Sequence, residues 1–372
     1  MKKRLVIFHP AIVPYRIDFF NSLYQAYDAS FYFMYDDAKE QSFHQEALKK
    51  RLDFTPHYLS PGLFGRKNLR LQVFSLLRHE KPDLVFCSEF NMLGLFVLCY
   101  KLFCNRKLKV FTICDDSRDI AQKTKGLQKY LRAFLLRFYT GVILASKDAQ
   151  AWYQEHFKKQ EKFLYFPIIQ EEEAFRKDLY EALPATKELM EEYALKGKIP
   201  ILFVGRLIDI KNLFVLIRAF AGIADTYPQT VLVLVGEGER ASALKEEAEK
   251  HKIGNRIIFA GKKQGTALYA WYNIGQLFVL PSYFERFGAV ANEALIAGCY
   301  TLCSSLAGAS GLIEEPENGM VFNPYSETEL KEKLQQAIQK SPVLENARVK
   351  ANKMPYAYAA YWEQLIDRII AL

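Results

Sequence analysis

Pro281-Ser282-Tyr283-Phe284-Glu285-Arg286-Phe287-Gly288-Ala289-Val290-Ala291-Asn292-Glu293-Ala294-Leu295-Ile296-Ala297-Gly298 is the stretch on which the fold turns. The apolar run Leu277 to Leu280 before it reads as a buried parallel strand. Pro281 ends that strand, and Ala289 to Ala297 is a good helix former closed by Gly298. A strand therefore feeds a loop and then a helix. Such a junction sits at the carboxyl edge of a parallel sheet, where open α/β sheets bind ligands and a helix N-terminus offers amides to anions. Glu285 lies in the loop, and Glu293 lies roughly one turn inside the helix at ~1.5 Å rise per residue. Two carboxylates at different depths suit the vicinal hydroxyls of two sugar rings. Two acids taken alone read more simply as solvated surface groups.

The whole pattern adds more than its acids. Pro281-Ser282, Glu285, Phe287-Gly288, Glu293 and Gly298 together resemble the donor-binding signature of the retaining GT-B glycosyltransferases of family 4, the glycosyl transferases group 1. Arg286 stands where that family usually has glycine, which adds a positive charge beside the site. The resemblance implies that Glu285 and the amides near Phe287, Gly288, Ala289 and Val290 hold the donor sugar, and that Glu293 holds the nucleoside ribose.

A second junction follows the apolar strand Ile201 to Val204. Gly205 lets the backbone turn closely, and Arg206 and Lys211 place two cations ahead of a helix that buries Leu213, Leu216, Ile217 and Phe220. This is a place for a diphosphate, with an ordinary basic loop as the plain alternative. In the resembling family Gly-Arg-Leu followed by Lys is the phosphate-holding pair. That implies that Arg206 and Lys211 neutralise the leaving nucleoside diphosphate as its charge grows.

Strand Val231 to Val235 runs into Gly236-Glu237-Gly238-Glu239-Arg240-Ala241, which formally satisfies G-x-G-x-x-A and opens a rival reading, an NADP-dependent oxidoreductase. The acid expected about 20 residues later to hold an adenosine ribose is replaced by Gly261-Lys262-Lys263-Gln264. Those lysines would suit a 2′-phosphate. The glycine pair, however, follows the second strand of its domain, where the resembling family also carries Val-Gly-x-Gly, and there Gly236 and Lys262 become donor-side candidates. Gly308 and Gly311 read either as a loop closing over the phosphates or as a plain surface loop.

Working outward, strands are expected at Arg4 to Phe8, Phe31 to Tyr35, Leu84 to Cys87, Lys109 to Ile113 and Val142 to Ala145, and again at Ile201 to Val204, Val231 to Val235, Arg256 to Phe259, Leu277 to Leu280 and Tyr300 to Cys303. Helical patterns alternate with them, as in doubly wound α/β sheets. The expected domains are a Rossmann-like acceptor domain over 1–168, a linker over 169–198, a Rossmann-like nucleotide-sugar domain over 199–353 and a final helix over 354–372. The resemblance implies that the two domains face each other and that the last helix crosses back to the first.

With 372 residues and 50% apolar content the chain can bury two cores, and its formal charge of +8 favours an anionic partner. The six cysteines form no CxxC pair and read as reduced core thiols of a cytosolic protein. Met1-Lys2-Lys3-Arg4 precedes too short an apolar core for a signal peptide, and no stretch reaches the ~20 residues that span a bilayer. No Asp-x-Asp occurs, so no metal is expected to bridge the diphosphate, and no cofactor beyond the donor substrate is expected.

On the acceptor side, Pro14-Tyr15-Arg16 again resembles the family, although this loop lacks the glycines its members often carry. Where many relatives keep a histidine, the strand ending at Ile113 leads to Cys114-Asp115-Asp116. Asp115 or Asp116 is the expected general base or acceptor-orienting group, against an acidic helix start as the plain reading, with His9 as the alternative. Lys123, Lys125, Lys129, Arg132 and Arg137 interleave with Tyr130, Leu131, Phe134, Leu135 and Phe138. With Phe64, Arg66, Lys67 and Arg70 they suit either an anionic bilayer or an ordinary packed helix with a basic face. No nucleic-acid recognition motif accompanies them.

The resulting expectation is a metal-independent hexosyltransferase. It moves sugar from a UDP- or GDP-sugar to a hydroxyl of a glycan or lipid-linked acceptor, with retention implied by the family. Polysaccharide or lipopolysaccharide assembly on the cytoplasmic face of the plasma membrane is the setting that the family's prevalence implies. A non-catalytic GT-B binding subunit would not need Glu285, Arg206, Lys211 and Glu293 together.

Overall fold

In a computed structural model that describes residues 2–35, 45–62 and 69–372, the chain divides into two units. The first holds Met1–Gln170 and Tyr361–Leu372, and the second holds Glu171–Ala360. Phe64, Arg66 and Lys67 lie outside the described residues.

The first unit has strands β1 (Arg4–His9), β2 (Asp28–Phe33), β3 (His57–Tyr58), β4 (Leu84–Ser88), β5 (Lys109–Cys114), β6 (Gly141–Leu144) and β7 (Phe163–Tyr165) in the order β3-β2-β1-β4-β5-β6-β7. The second has β8 (Ile199–Val204), β9 (Thr230–Val235), β10 (Ile257–Gly261), β11 (Leu277–Leu280), β12 (Tyr300–Ser304) and β13 (Gly319–Phe322) in the order β10-β9-β8-β11-β12-β13. Every pairing in both sheets is parallel. The strand order reverses between β1 and β4 in one sheet and between β8 and β11 in the other. These are the switch points at which open α/β sheets form ligand crevices.

The sequence explains the sheets directly. Strand β8 is Ile-Pro-Ile-Leu-Phe-Val with every residue buried, as a central parallel strand covered on both faces requires. The next long helix, Leu213–Ala224, buries Leu213, Leu216, Ile217, Phe220 and Ile223, a three- and four-residue spacing that lays one stripe on the sheet.

Three short strands escape the sequence reading: β3, β7 and β13. Strand β2 begins earlier than expected, because its polar start, Asp28 to Ser30, pairs with Arg4 to Val6 of β1. Segment 169–198, read as a linker from its acidic composition, carries the helices Glu172–Glu181 and Leu183–Glu192 within the second unit. Sparse apolar residues anchor them: Phe175 packs against Tyr269 and Tyr272, and Asn273 donates to the Leu179 carbonyl at 2.8 Å and to Thr186 Oγ1 at 3.1 Å.

Residues 341–357, still within the second unit, have no regular structure. There Lys353 N–H donates to the Leu295 carbonyl at 2.9 Å, and Arg176 donates to the Lys350 carbonyl at 3.0 Å. The last helix, Tyr358–Ala371, joins the first unit from Tyr361 onward, with Trp362 edge-on to Phe19 and Phe166. Cys87, Cys114, Cys299 and Cys303 are buried free thiols, Cys99 is half-buried and Cys104 is exposed.

Candidate functional site

In the second unit the loops after β8, β9 and β11 meet at the carboxyl edge of the sheet. The loop after β8 is held against the β11 loop by backbone, since Tyr283 N–H donates to the Ile210 carbonyl at 3.2 Å. Asn212, at positive φ between a turn and the helix Leu213–Ala224, donates from its side chain to the carbonyls of Pro281 at 3.1 Å and Pro324 at 2.7 Å. The two junctions singled out in the sequence are therefore one structure.

Lys211 Nζ donates to the Glu285 carboxylate, and Ser282 Oγ donates to the same oxygen at 3.3 Å. Both ends of this ion pair are mostly buried, with side chains 14% and 16% exposed. Arg206, in the same loop after β8 as Lys211, is exposed. Phe287 is buried and anchors the loop, its carbonyl accepting from Ala309 N–H at 2.8 Å.

Gly288, at φ 92°, is the residue before the helix Ala289–Ile296, and a Cβ there would stand 2.5 Å from Leu280. Only glycine fits both the conformation and the space. The helix start has no side-chain cap, so the first-turn amides of Ala289 and Val290 are left without intrahelical acceptors. One turn further, Glu293 accepts from the Tyr272 hydroxyl at 2.6 Å. Burial, and then the charge of Glu293, push the Tyr272 phenol well above its ordinary range, so its proton stays in that bond. Burial of Cys303 and the nearby Glu285 likewise push that thiol up.

The glycine pair that suggested a dinucleotide loop has another physical cause. A Cβ at Gly236 would lie 1.8 Å from the Gly205 carbonyl oxygen, and one at Gly238 would lie 2.4 Å from that of Leu207. The glycines let the loops after β8 and β9 touch. They also follow the second strand of the unit, off the switch point between β8 and β11. Lys262 and Lys263 are exposed, and Lys262 lies 3.9 Å from Glu237.

In the first unit, Asp115 and Asp116 follow β5 but differ. Asp116 is buried and accepts from Arg132 Nη1 at 2.7 Å, and the same nitrogen lies 2.7 Å from the Tyr153 hydroxyl. Arg132 also sits over the Phe90 ring at 4.8 Å. Asp116 is thus committed to a buried pair, and Asp115, half-buried, is the carboxylate presented at the strand end. Asp115 accepts from Arg16 Nη2. His9, at the end of β1, bonds through Nδ1 to the Ala11 carbonyl at 2.9 Å. Burial, and then the charge of Arg16, bring its imidazole down to about 4, so the ring is neutral at pH 7 and Nδ1 carries the proton.

The structure thus brings together Gly205, Arg206, Lys211, Glu285, Phe287, Gly288, Ala289, Val290 and Glu293 on one edge of the second sheet, with Gly236 beside Gly205 and Lys262 at the rim. Sequence reasoning missed Tyr272, which is hidden in an apolar helix, and the pairing of Lys211 with Glu285 across 74 residues. Arg16 was legible only within the Pro14-Tyr15-Arg16 opening that resembles the family.

Two Rossmann-like α/β units, each with its switch point, are the architecture of the GT-B fold. Residues 185–354 match the family model described as glycosyl transferases group 1. The glycogen synthase of Mycobacterium tuberculosis is 33% identical over 128 residues, covering 34% of this chain and 31% of that relative. An uncharacterised glycosyltransferase of Methanocaldococcus jannaschii is 23% identical over 350 residues, covering 86% of this chain and 83% of its own. Among solved structures, Anabaena HepE in complex with UDP has a TM-score of 0.76 at 16% identity, covering 99% of this chain and 100% of that one. The chain spans about a third of the length of the first curated relatives it matches. The resemblance read from Pro281 to Gly298 agrees with the match to that family model, which spans residues 185–354.

Proposed function

We propose that the protein transfers a hexose from a nucleoside diphosphate sugar to a hydroxyl, with retention of anomeric configuration and without a metal. The observation that carries this reading is the Lys211–Glu285 pair, fixed at the mouth of β8 and β11 beside Arg206 and the amides of Ala289 and Val290. Lys211 has three N–H donors and spends one on Glu285, which leaves two for phosphate oxygens. Arg206 adds a second cation and the helix start adds dipole, so negative charge that grows on the leaving diphosphate is met by preset groups. Glu285 takes hydroxyls of the donor sugar, and Glu293, oriented by Tyr272, takes ribose hydroxyls.

A UDP-sugar is the first donor to test, because HepE, similar in fold, was solved with UDP and with UDP-glucose. The acceptor is a hydroxyl of a glycan or lipid-linked saccharide in cell-envelope polysaccharide assembly at the cytoplasmic face of a membrane. Helix Gly126–Leu135 supports contact with an anionic bilayer: Tyr130, Leu131 and Phe134 are 74%, 48% and 52% exposed beside Lys125 and Lys129. No helix among the described residues is long and apolar enough to cross a membrane. The membrane arm is tested by flotation with vesicles of anionic lipid, using Leu131→Glu as the variant that should stay unbound.

The central test incubates purified protein with UDP- and GDP-hexoses in EDTA and follows donor hydrolysis and the anomeric configuration of the product. One donor should turn over in wild type and be lost in Arg206→Ala and Glu285→Ala. Turnover that requires added Mg²⁺, or that survives both substitutions, refutes the assignment.

A further inference from the structure

The loop after β8, which carries Arg206 and Lys211, is fastened by its neighbour after β9. Gly205 N–H donates to the Val235 carbonyl at 3.0 Å, Leu207 N–H donates to that of Glu237 at 2.9 Å, and Arg240 N–H donates back to the Leu207 carbonyl at 3.0 Å. Arg206 therefore stands between two residues whose backbone is fixed. The Arg240 side chain adds a further link, to Asp209: Nε donates to Oδ1 at 2.5 Å and Nη2 to Oδ2 at 2.6 Å. This is the fork in which a guanidinium takes both oxygens of a carboxylate.

Asp209 opens the 3-10 turn Asp209–Lys211. Its carbonyl accepts from Asn212 N–H at 2.9 Å, and the Asn212 side chain fastens the far end of the turn to Pro281 and Pro324. The turn is thus held at its start by the loop after β9 and at its end by the loops after β11 and β13. Lys211 lies between those ends, so a carboxylate sits two residues from a cation proposed to receive a diphosphate. The fork holds the Asp209 carboxyl below its usual range, and the group is ionised at pH 7.

Folding stability does not account for the fork. The two side chains, Arg240 and Asp209, are 44% and 47% exposed, and ion pairs so open to solvent contribute little to stability. The charge of the turn accounts for it better. A bare carboxylate in this turn would repel an incoming diphosphate, and like charges brought together weaken binding.

We propose that Arg240 is a positioning residue of the donor site: it acts through Asp209, occupying both oxygens of a carboxylate that would otherwise repel the diphosphate beside Lys211. The inference rests on the glycosyltransferase reading, in which Arg206 and Lys211 hold that diphosphate. Arg240 itself need not touch the donor. Its effect is read only by ligands that carry phosphate.

The test is titration calorimetry on the full chain with UDP and UMP, and with uridine by competition, at low salt and at about 0.5 M NaCl. Arg240→Met should weaken UDP about tenfold and UMP by less, and should leave uridine, which has no phosphate, as in wild type. The loss should shrink at high salt, because screening removes the repulsion of exposed charges and does not mend a displaced loop. Arg240→Lys, which keeps the charge and gives up the fork, should retain most of the UDP affinity. Adding Asp209→Asn to Arg240→Met should restore most of what that variant lost. Thermal melts of the variants should stay close to that of wild type.

Unchanged UDP binding in Arg240→Met overturns the inference. So does an equal loss for UDP and uridine, or a double variant that binds UDP no better than Arg240→Met. Failure of wild type to bind UDP falls on the glycosyltransferase reading, and takes this inference with it.

Discussion

Removing one hydroxyl tests the donor site at its deepest point. Tyr272 is fully buried, and its OH donates to Glu293 Oε2 at 2.6 Å, the distance of a strong charge-assisted bond. In Tyr272→Phe the ring stays in place, packed against Phe175 and Phe278, and only the donor is lost. Glu293 then loses the phenol that aims its carboxylate at the ribose hydroxyls proposed for it.

A hydrogen bond to a charged group contributes about 1.5–3 kcal/mol, and 1.4 kcal/mol is tenfold in affinity, so UDP binding should weaken by about tenfold or somewhat more. The assay is titration calorimetry with UDP and with 2′-deoxy-UDP on wild type, Tyr272→Phe and Glu293→Gln. If Tyr272 works by aiming Glu293 at the ribose, the substitution costs much affinity for UDP and little for the deoxy nucleotide, which has already lost one of the hydroxyls. An equal loss for both ligands, or no loss for UDP, refutes the reasoning and leaves Tyr272 as a core residue that happens to touch the acid.

Three further outcomes follow from the geometry. Gly236→Ala drives a methyl to 1.8 Å from the Gly205 carbonyl oxygen at φ 153°, and it should lower the melting temperature of the ligand-free protein sharply, which differential scanning calorimetry would record. A melt within a degree of wild type would mean that the loops do not touch. Arg132→Met leaves the buried Asp116 without its cation and should cost about 3–5 kcal/mol in urea unfolding, whereas an exposed pair such as Lys187–Glu191 should be worth under about 1 kcal/mol. His9 sets a pH dependence. Its folded value is about 4 against 6.5 for the ordinary group, so the unfolded chain takes up its proton first on acidification. Between those values the unfolded state binds more protons, stability rises with pH, and at ~1.4 kcal/mol per unit the gain is about 3 kcal/mol. His9→Gln should flatten that slope; an unchanged slope would assign it to other groups.

The long apolar strands and the strand-loop-helix junctions were legible because burial on two faces and a change of period leave strong local marks. Val231 to Val235 and Leu277 to Leu280 needed no correction beyond one residue. The short strands β3, β7 and β13 left no such mark: His57–Tyr58 is exposed on both residues and exists through its pairing with Tyr32 and Phe33. The acidic segment after Gln170 misled because composition averages over a helix, while three or four apolar anchors decide whether it packs. Contacts between distant residues were the other blind spot. Glu285 and Lys211 were each legible as ligands of a donor, from their own loops, yet nothing local says that they bond each other.

That bond changes how the site is understood. A lysine and a carboxylate placed separately to receive a diphosphate and a sugar would each have to shed water when the donor arrives. Joined in the ligand-free protein, and mostly screened from solvent, they have already given up much of that water and hold each other in place, with Ser282 as a second tether on the carboxylate. Donor binding need not break the pair, since each partner keeps open capacity: two N–H groups on Lys211 and a second oxygen on Glu285. In the proposed donor reading, the sugar end and the phosphate end would meet two halves of one ion-paired unit whose separation is fixed before binding, which is the condition for charge stabilisation without reorganisation. The same logic places Tyr272 behind Glu293 and Arg16 behind Asp115. In each case an acid singled out in the sequence is held by a buried donor, Tyr272 or Arg16.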